Sequence, residues 1–499
     1  MQGKRVTVFS IMRFRFLVIL FLLLTISMPH IWAISIPSRD STASLELKAT
    51  TITIDPGTQD FEAVGNVRAT YDTTSLTADK IEGNAETREL FATNAAGRVG
   101  ALLIRGEEIT SKRVLIPGQK EQYRLQYILK NGLATTCDLE HPDYKVTARK
   151  IVIIPQDRAI AKKVSLWLGK VRILTVPRFV LGIAPEDETQ SFLPKPGYDN
   201  RDGAFVGLEY QLIAAPKTRA SLDIRATTRS GIQGGVTGDI VLSGDTHWQN
   251  VGSHIELRSR PLLLPSIGIT SQTGAVFVRN VAPLRQFTAF GSFNRRKRVF
   301  DVDRKGLLVD SSPDVGVRYV SNPVFINAGH KLGAYFAGEG SWGYFGENQG
   351  NTESRSDMRG SVIGLPVKLG GNTYVQPAVS WRGSWYKNGD SYKALGISAD
   401  LTRVFGKFYF STRYIGYSTS GNTPFEFDDI DRTRTLSEAL GYYGRRDTYG
   451  LVLCYSLDRH DLYDWEFSFS RKLHCLEPTI TWRNRFGLFN INVRVLGFD

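Results

Sequence analysis

Few side chains of this 499-residue chain could do covalent or metal chemistry. It carries three cysteines, Cys137, Cys454 and Cys475, and seven histidines. Three thiols in an oxidising compartment allow one disulfide and leave one thiol over. No cysteines and histidines cluster with zinc-type spacing, so no metal site is expected. His254 and His460 sit near predicted strand ends, where a solvated or lumen-facing imidazole is the plain expectation. There is no phosphate-cradling glycine loop, no paired-histidine zinc helix and no Ser-centred nucleophile elbow. No catalytic residue and no cofactor is expected, and the chain reads as a non-enzyme. A lipid-modifying barrel enzyme, with a Ser and a His brought together by the fold, stays open as an alternative.

The elements that carry these residues are strands. Tyr463, Trp465, Phe467 and Phe469 alternate with Asp464, Glu466, Ser468 and Ser470. Phe489, Ile491, Val493 and Val495 alternate in the same way with Asn490, Asn492 and Arg494. Strand side chains point to opposite faces with period 2, so each segment has one apolar and one wet face. From Ala204 onward such segments recur between turn signals, with Leu222, Ile224 and Ala226 opposing Asp223, Arg225 and Thr227. About 296 residues at roughly 18 per strand and turn predict an antiparallel transmembrane β-barrel of about 16 strands over 204–499.

The amino terminus reads as an export signal. Lys4, Arg5, Arg13 and Arg15 precede an apolar run at 16–28, with cleavage expected after Ala33. Beyond it no apolar run approaches the ~18 residues of a membrane helix, so only a closed barrel could take the chain into a bilayer. The net charge is +13, or about +9 without the four signal cations. On an exported chain, anionic glycolipid phosphates or a cation-lined lumen suit that charge better than nucleic acid.

Residues 34–183 read as an all-β stacked-hairpin or jellyroll domain. Phe61-Glu62-Ala63-Val64-Gly65-Asn66-Val67 is echoed by Phe91-Ala92-Thr93-Asn94-Ala95-Ala96-Gly97-Arg98-Val99, with one Gly-Asn or Gly-Arg turn expected per unit. Ile52, Ile54, Phe61, Val67, Leu76, Ile81, Phe91, Val146, Ile151 and Ile153 are the candidate lining of its interior. A groove so lined can hold acyl chains, each buried methylene gaining roughly 0.8 kcal/mol. An ordinary sandwich core is the other reading of the same pattern. At 184–203 Pro185, Pro194, Pro196 and a run of acids break the strands and mark a linker.

Within this domain Thr135-Thr136-Cys137-Asp138 is followed by His141-Pro142-Asp143-Tyr144-Lys145-Val146-Thr147-Ala148, then Val176-Pro177-Arg178-Phe179 and Ser191-Phe192-Leu193-Pro194. This order resembles the lipopolysaccharide-assembly outer-membrane family, the LptD or organic-solvent-tolerance proteins, over roughly 45–215. Arg178 departs from the family's Val-Pro-aromatic step.

The resemblance implies a cell outer-membrane translocon with its N-terminal domain in the periplasm. Lipopolysaccharide would enter the groove from a periplasmic bridge protein, and the barrel-assembly machinery would insert the barrel. The lipid would leave through a lateral seam between the first strand, about 203–213, and the last, about 487–497. Ala204, Val206, Pro216, Ile491 and Val493 would line that seam. Pro216 cannot donate a ladder hydrogen bond, although a simple turn explains it equally well. A barrel this small puts the family's internal lipoprotein plug in doubt. The alternative is a porin-like channel with a periplasmic binding domain. The family's cysteines tie the periplasmic domain to the barrel, and here only Cys137 precedes the barrel. Cys454 and Cys475 are two strand steps apart, about 9.6 Å, beyond a disulfide's reach. The expected pair is Cys137–Cys475 with Cys454 a lumen-facing thiol; three unpaired thiols are the alternative.

Overall fold

Alternation builds strands throughout, and the computed structural model holds no helix among the residues it describes. These are 46–496, except 72–73, 85–86, 88, 116–122, 138–139, 156–157, 183–192, 216, 245–267, 273–274, 280–284, 299–306, 326–331, 349 and 486. The expected signal segment, His254 and Pro216 lie outside them.

Eight strands, Asp60–Tyr71, Thr74–Asn84, Leu90–Val99, Leu102–Leu115, Tyr123–Thr135, Tyr144–Ile154, Arg158–Leu168 and Val171–Gly182, follow one another as antiparallel hairpins. The short strands Glu46–Lys48 and Thr51–Ile54 pair with the two halves of the first, completing a ten-stranded sheet. The Gly-Asn signal is not the hairpin turn that the repeat suggested. Gly65 and Asn66 lie inside a strand, at a register shift between Val64 and Val67. Asn66, Asn94, Asn131 and Lys163 take positive φ of 48°, 50°, 47° and 52° on different strands, and asparagine tolerates this conformation better than most residues. Two of these side chains are held locally: Asn94 Nδ2 donates to Asp79 Oδ2 at 3.0 Å and Asn131 Nδ2 to Glu107 Oε2 at 2.7 Å.

Bulges bend strands, and these fold the sheet onto its own apolar face. Tyr127 Oη meets Thr74 Oγ1 at 3.0 Å although their strands are three steps apart in the sheet. Laid flat, three steps would separate them by about 14 Å. Ala63, Val67, Ile81, Ala92, Ile104, Ile109, Leu129 and Ile153 are fully buried in the resulting interior.

The second sheet closes into an antiparallel barrel of sixteen strands among the described residues, with Val324–Phe325 and Val367–Gly370 continuing the strands Leu308–Val320 and Thr352–Gly364. A separate hairpin pairs Gly268–Gln272 with Ala275–Arg279. Ser391–Phe405 illustrates the wall: Tyr392, Ala394, Ser398, Asp400 and Thr402 are buried inward, while Lys393, Leu395 and Ile397 are exposed outward. Outward apolar and inward polar is the arrangement a bilayer requires.

An aromatic ladder runs Phe405, Phe408, Tyr442, Tyr449 and Phe469, with ring centroids 5.7, 5.0, 6.1 and 5.1 Å apart. It runs across five neighbouring strands at the end of the barrel nearest the folded sheet. One part of the alternation differs from the sequence pattern. A bulge opposite Cys454 and Tyr455 makes Tyr463 the extra residue of its strand. Its ring lies under Arg432 at 4.3 Å and Arg485 at 5.5 Å instead of joining Trp465 and Phe467 outside.

Candidate functional site

The folded sheet offers an apolar interior with an open side. Phe61, Val67, Leu76, Ile81, Ile151 and Ile153 lie within it, and Val146 packs against it half-buried. Ile52 and Ile54 stand opposite Ala63 and Phe61 and so share the interior face, yet on an edge strand they remain 40% and 53% exposed. Phe91 points the other way: it is exposed beside Glu82 and Thr110 while its neighbour Ala92 is fully buried. Aligning the repeat one residue off exchanged the two faces.

The interior does not end at the sheet. Leu193, Cys475, Leu476 and Val495 are buried in the same apolar cluster, and Val493 packs on it. These residues precede the first barrel strand or form the base of the last two. The two motif segments meet at the same place. Cys137 is bonded to Cys475, with Cα atoms 5.5 Å apart. Thr136 Oγ1 meets the Tyr144 hydroxyl at 2.8 Å and donates to the Leu496 carbonyl at 2.5 Å, and Thr136 N donates to Tyr144 Oη at 2.9 Å. The Thr135 hydroxyl donates to the Tyr144 carbonyl at 2.7 Å. Burial pushes the Tyr144 phenol up to about 12, so the side chain is a neutral hydrogen-bonding post. On the other side of the seam, Arg158 Nη1 donates to the Ala214 carbonyl at 2.5 Å and Tyr210 Oη donates to the Arg178 carbonyl. The sheet is thus fastened to barrel strands on both sides of the barrel's closure.

That closure is thin. The opening strand is Lys195–Asp199, inside the segment expected as a linker, and it lies between Gly203–Ala215 and the closing strand Leu488–Val495. Ala204 and Val206 therefore pair with Tyr198 and Pro196 rather than with the closing strand. Pro196 offers no N–H, and among the described residues pairing across the closure consists of Gly197 with Asn490 and Tyr198 with Phe489. The closing strand pairs with Leu476–Arg483 at eight positions, among them Ile491 with Ile480 and Val493 with Pro478. Toward the opening strand, residues 491–495 have no strand partner among the described residues. Asn490 Oδ1 and Asn492 Oδ1 are buried without a hydrogen-bond partner. Gly197 is required where it stands, since a Cβ there would lie 2.5 Å from the Phe489 carbonyl oxygen and collide with the Phe205 ring.

Cys454 is a free, half-buried thiol on the inner wall, where Ser437 Oγ approaches its sulfur at 3.7 Å. His460 is exposed in a turn. The alternation rules missed the opening strand, although the pair Pro196-Gly197 marked a place where a ladder could only be short.

No family model matches the chain. It is 29% identical over 190 residues to "LPS-assembly protein LptD" of Xanthomonas euvesicatoria pv. vesicatoria and of Xanthomonas axonopodis pv. citri. It is 25% identical over 193 residues to the protein of that name from Aliivibrio fischeri. These matches cover 38% of this chain and only 22–23% of the relatives' length. Among solved structures, the anion-selective porin from Comamonas acidovorans is 12% identical with a TM-score of 0.26, over 60% of this chain and 95% of the porin. The chain thus joins a folded antiparallel sheet to a closed sixteen-stranded barrel, and over 38% of its length it is similar to LptD proteins.

Proposed function

We propose that the chain delivers lipopolysaccharide to the outer leaflet of the outer membrane, acting as a conduit rather than an enzyme. The observation that carries this reading is the continuity of the apolar interior through Leu193, Leu476 and Val495 to the base of a closure held by two residue pairs. Acyl chains would ride in the interior of the folded sheet, which lies in the periplasm. The exposed edge at Thr51–Ile54 is where a periplasmic bridge protein would hand the lipid over by adding a strand. Sugars would enter the polar lumen past Asn490 and Asn492 while the lipid left sideways through the seam. The disulfide and the Thr136–Leu496 bond hold the closing strand's base over the sheet, so the exit stays in line with the groove.

The test is photocrosslinking in membranes from a probe amino acid at Ile52, Phe61 or Ile153, with Phe91 as the outward control. Lipopolysaccharide captured from the first three positions and not from Phe91 is the expected result. Capture from none of them, or equally from all four, would sink the conduit reading.

A further inference from the structure

The inner wall carries a cluster of charge that the lipid path does not use. Arg355, Arg359 and Arg382 converge on Asp357: Arg355 Nη2 donates at 2.6 Å, Arg359 Nε at 2.7 Å, Arg382 Nε at 3.1 Å and the Ser384 hydroxyl at 2.6 Å. A second carboxylate, Asp428, comes from the connection between the strands Phe408–Gly421 and Arg434–Tyr443. It lies 2.7 Å from Arg355 Nε, accepts a hydrogen bond from Arg382 Nη2, and accepts one from the Tyr386 hydroxyl at 2.8 Å. The side chains of Arg355 and Asp428 are both 0% exposed.

The connection folds into the barrel mouth at the end away from the sheet. Phe425 and Phe427 are buried against Phe345, Tyr386 and Tyr392, and Phe427 and Phe345 each lie 5.5 Å from the Arg355 guanidinium. Polar contacts reach back along the wall, from Phe427 N to Glu347 Oε1 at 3.1 Å and from Asn351 Nδ2 to the Pro424 carbonyl at 2.7 Å.

We propose that Arg355, Arg359 and Arg382 form an oxyanion site of phosphate chemistry, and that segment 422–433 fills it with its own carboxylate. Of the two carboxylates that meet these guanidiniums among the described residues, Asp357 belongs to the wall and Asp428 to the connection. Withdrawing Asp428 takes the carboxylate from Arg355 Nε and Arg382 Nη2, and the buried donors it leaves suit a tetrahedral oxyanion. Arg355 Nη1, fully buried, has no hydrogen-bond partner even with the segment in place. Asp428 thereby mimics the ligand and keeps the mouth narrowed until an anion displaces it. The site does not depend on which lipid, if any, the barrel exports, because inorganic phosphate alone tests it.

The experiment uses the full chain, refolded and inserted in planar bilayers of neutral phospholipid, with folding checked by heat-shifted gel migration. Asp428→Asn keeps the shape of the side chain and removes its charge. Its current should prefer anions more strongly than the unsubstituted chain. Inorganic phosphate should half-block it at about a tenfold lower concentration, the worth of one charge-assisted contact. Adding Arg382→Gln to that variant should reverse both effects. A second arm compares phosphorylated with dephosphorylated core oligosaccharide. Stronger block by the phosphorylated sugar than by inorganic phosphate assigns the site to glycolipid phosphate, and equal block assigns it to free oxyanions. Unchanged selectivity together with no phosphate block in folded Asp428→Asn overturns the proposal.

Discussion

Two residue pairs hold the barrel shut where the closing strand's other edge has eight. Taking about 1 kcal/mol net for each ladder hydrogen bond and about one bond per pair, the seam opens for about 2 kcal/mol and its neighbour for about 8. At equilibrium that is about one molecule in thirty open at the seam, against about one in a million at the next interface. Unsatisfied backbone in lipid costs more per bond, which widens the difference. A cross-link should abolish the open fraction. Tyr198 and Phe489 are direct partners with outward side chains, and opposed antiparallel residues have Cα separations of about 4.5–5.5 Å, within disulfide range.

The double variant Tyr198→Cys, Phe489→Cys, as the sole copy in cells, should form a bond visible by peptide mapping and stop the appearance of new lipopolysaccharide at the surface. The same cross-link between Trp381 and Leu395, paired in the wall away from the seam, should leave export unchanged. If the bonded seam variant exports at the rate of the unsubstituted chain, the seam is not the exit.

Gly197→Val is expected to act in the opposite sense, because its side chain must enter the space between Phe205 and the Phe489 carbonyl. The two seam pairs should part, and cells should become permeable to large hydrophilic antibiotics while the folded barrel persists on gels. Unchanged permeability would mean that the strands adjust without opening. The Tyr144 phenol, held protonated to about 12 by burial, makes the junction sensitive to alkali. An unfolded tyrosine ionises near 10, so this stabilisation is complete below pH 10 and is lost as pH rises toward 12, by up to about 3 kcal/mol. The melting difference between the unsubstituted chain and Tyr144→Phe should therefore shrink over that interval. A difference independent of pH would refute the buried-phenol assignment.

Much was legible in the sequence because side-chain alternation is a local property. Period-2 patterning in Ser391–Phe405 specifies a strand with one apolar and one polar face, whatever surrounds it. The motif residues Thr136, Cys137, Tyr144 and Cys475 could likewise be picked out in the chain.

Faces and neighbours depend on more than pattern. Bulges reset which residues point inward, and so Phe91 and Tyr463 left the faces their spacing suggested while Asn66 turned from a hairpin corner into a crease. The opening strand Lys195–Asp199 was hidden by Pro196 within it and Pro194 before it, since only closure of the barrel gives so short a strand two neighbours. Asp428 meets Arg355 and Arg382 across 73 and 46 positions of sequence. No local signal marks that meeting, although alternating charges at Arg355, Asp357 and Arg359 announced one half of it. The sequence by itself determined which segments become strands and how polar each face is, because those follow from steric alternation and hydration. Only the tertiary structure decided which strands close the barrel, and how few bonds hold that closure, because pairing between distant segments is fixed by the whole ladder at once.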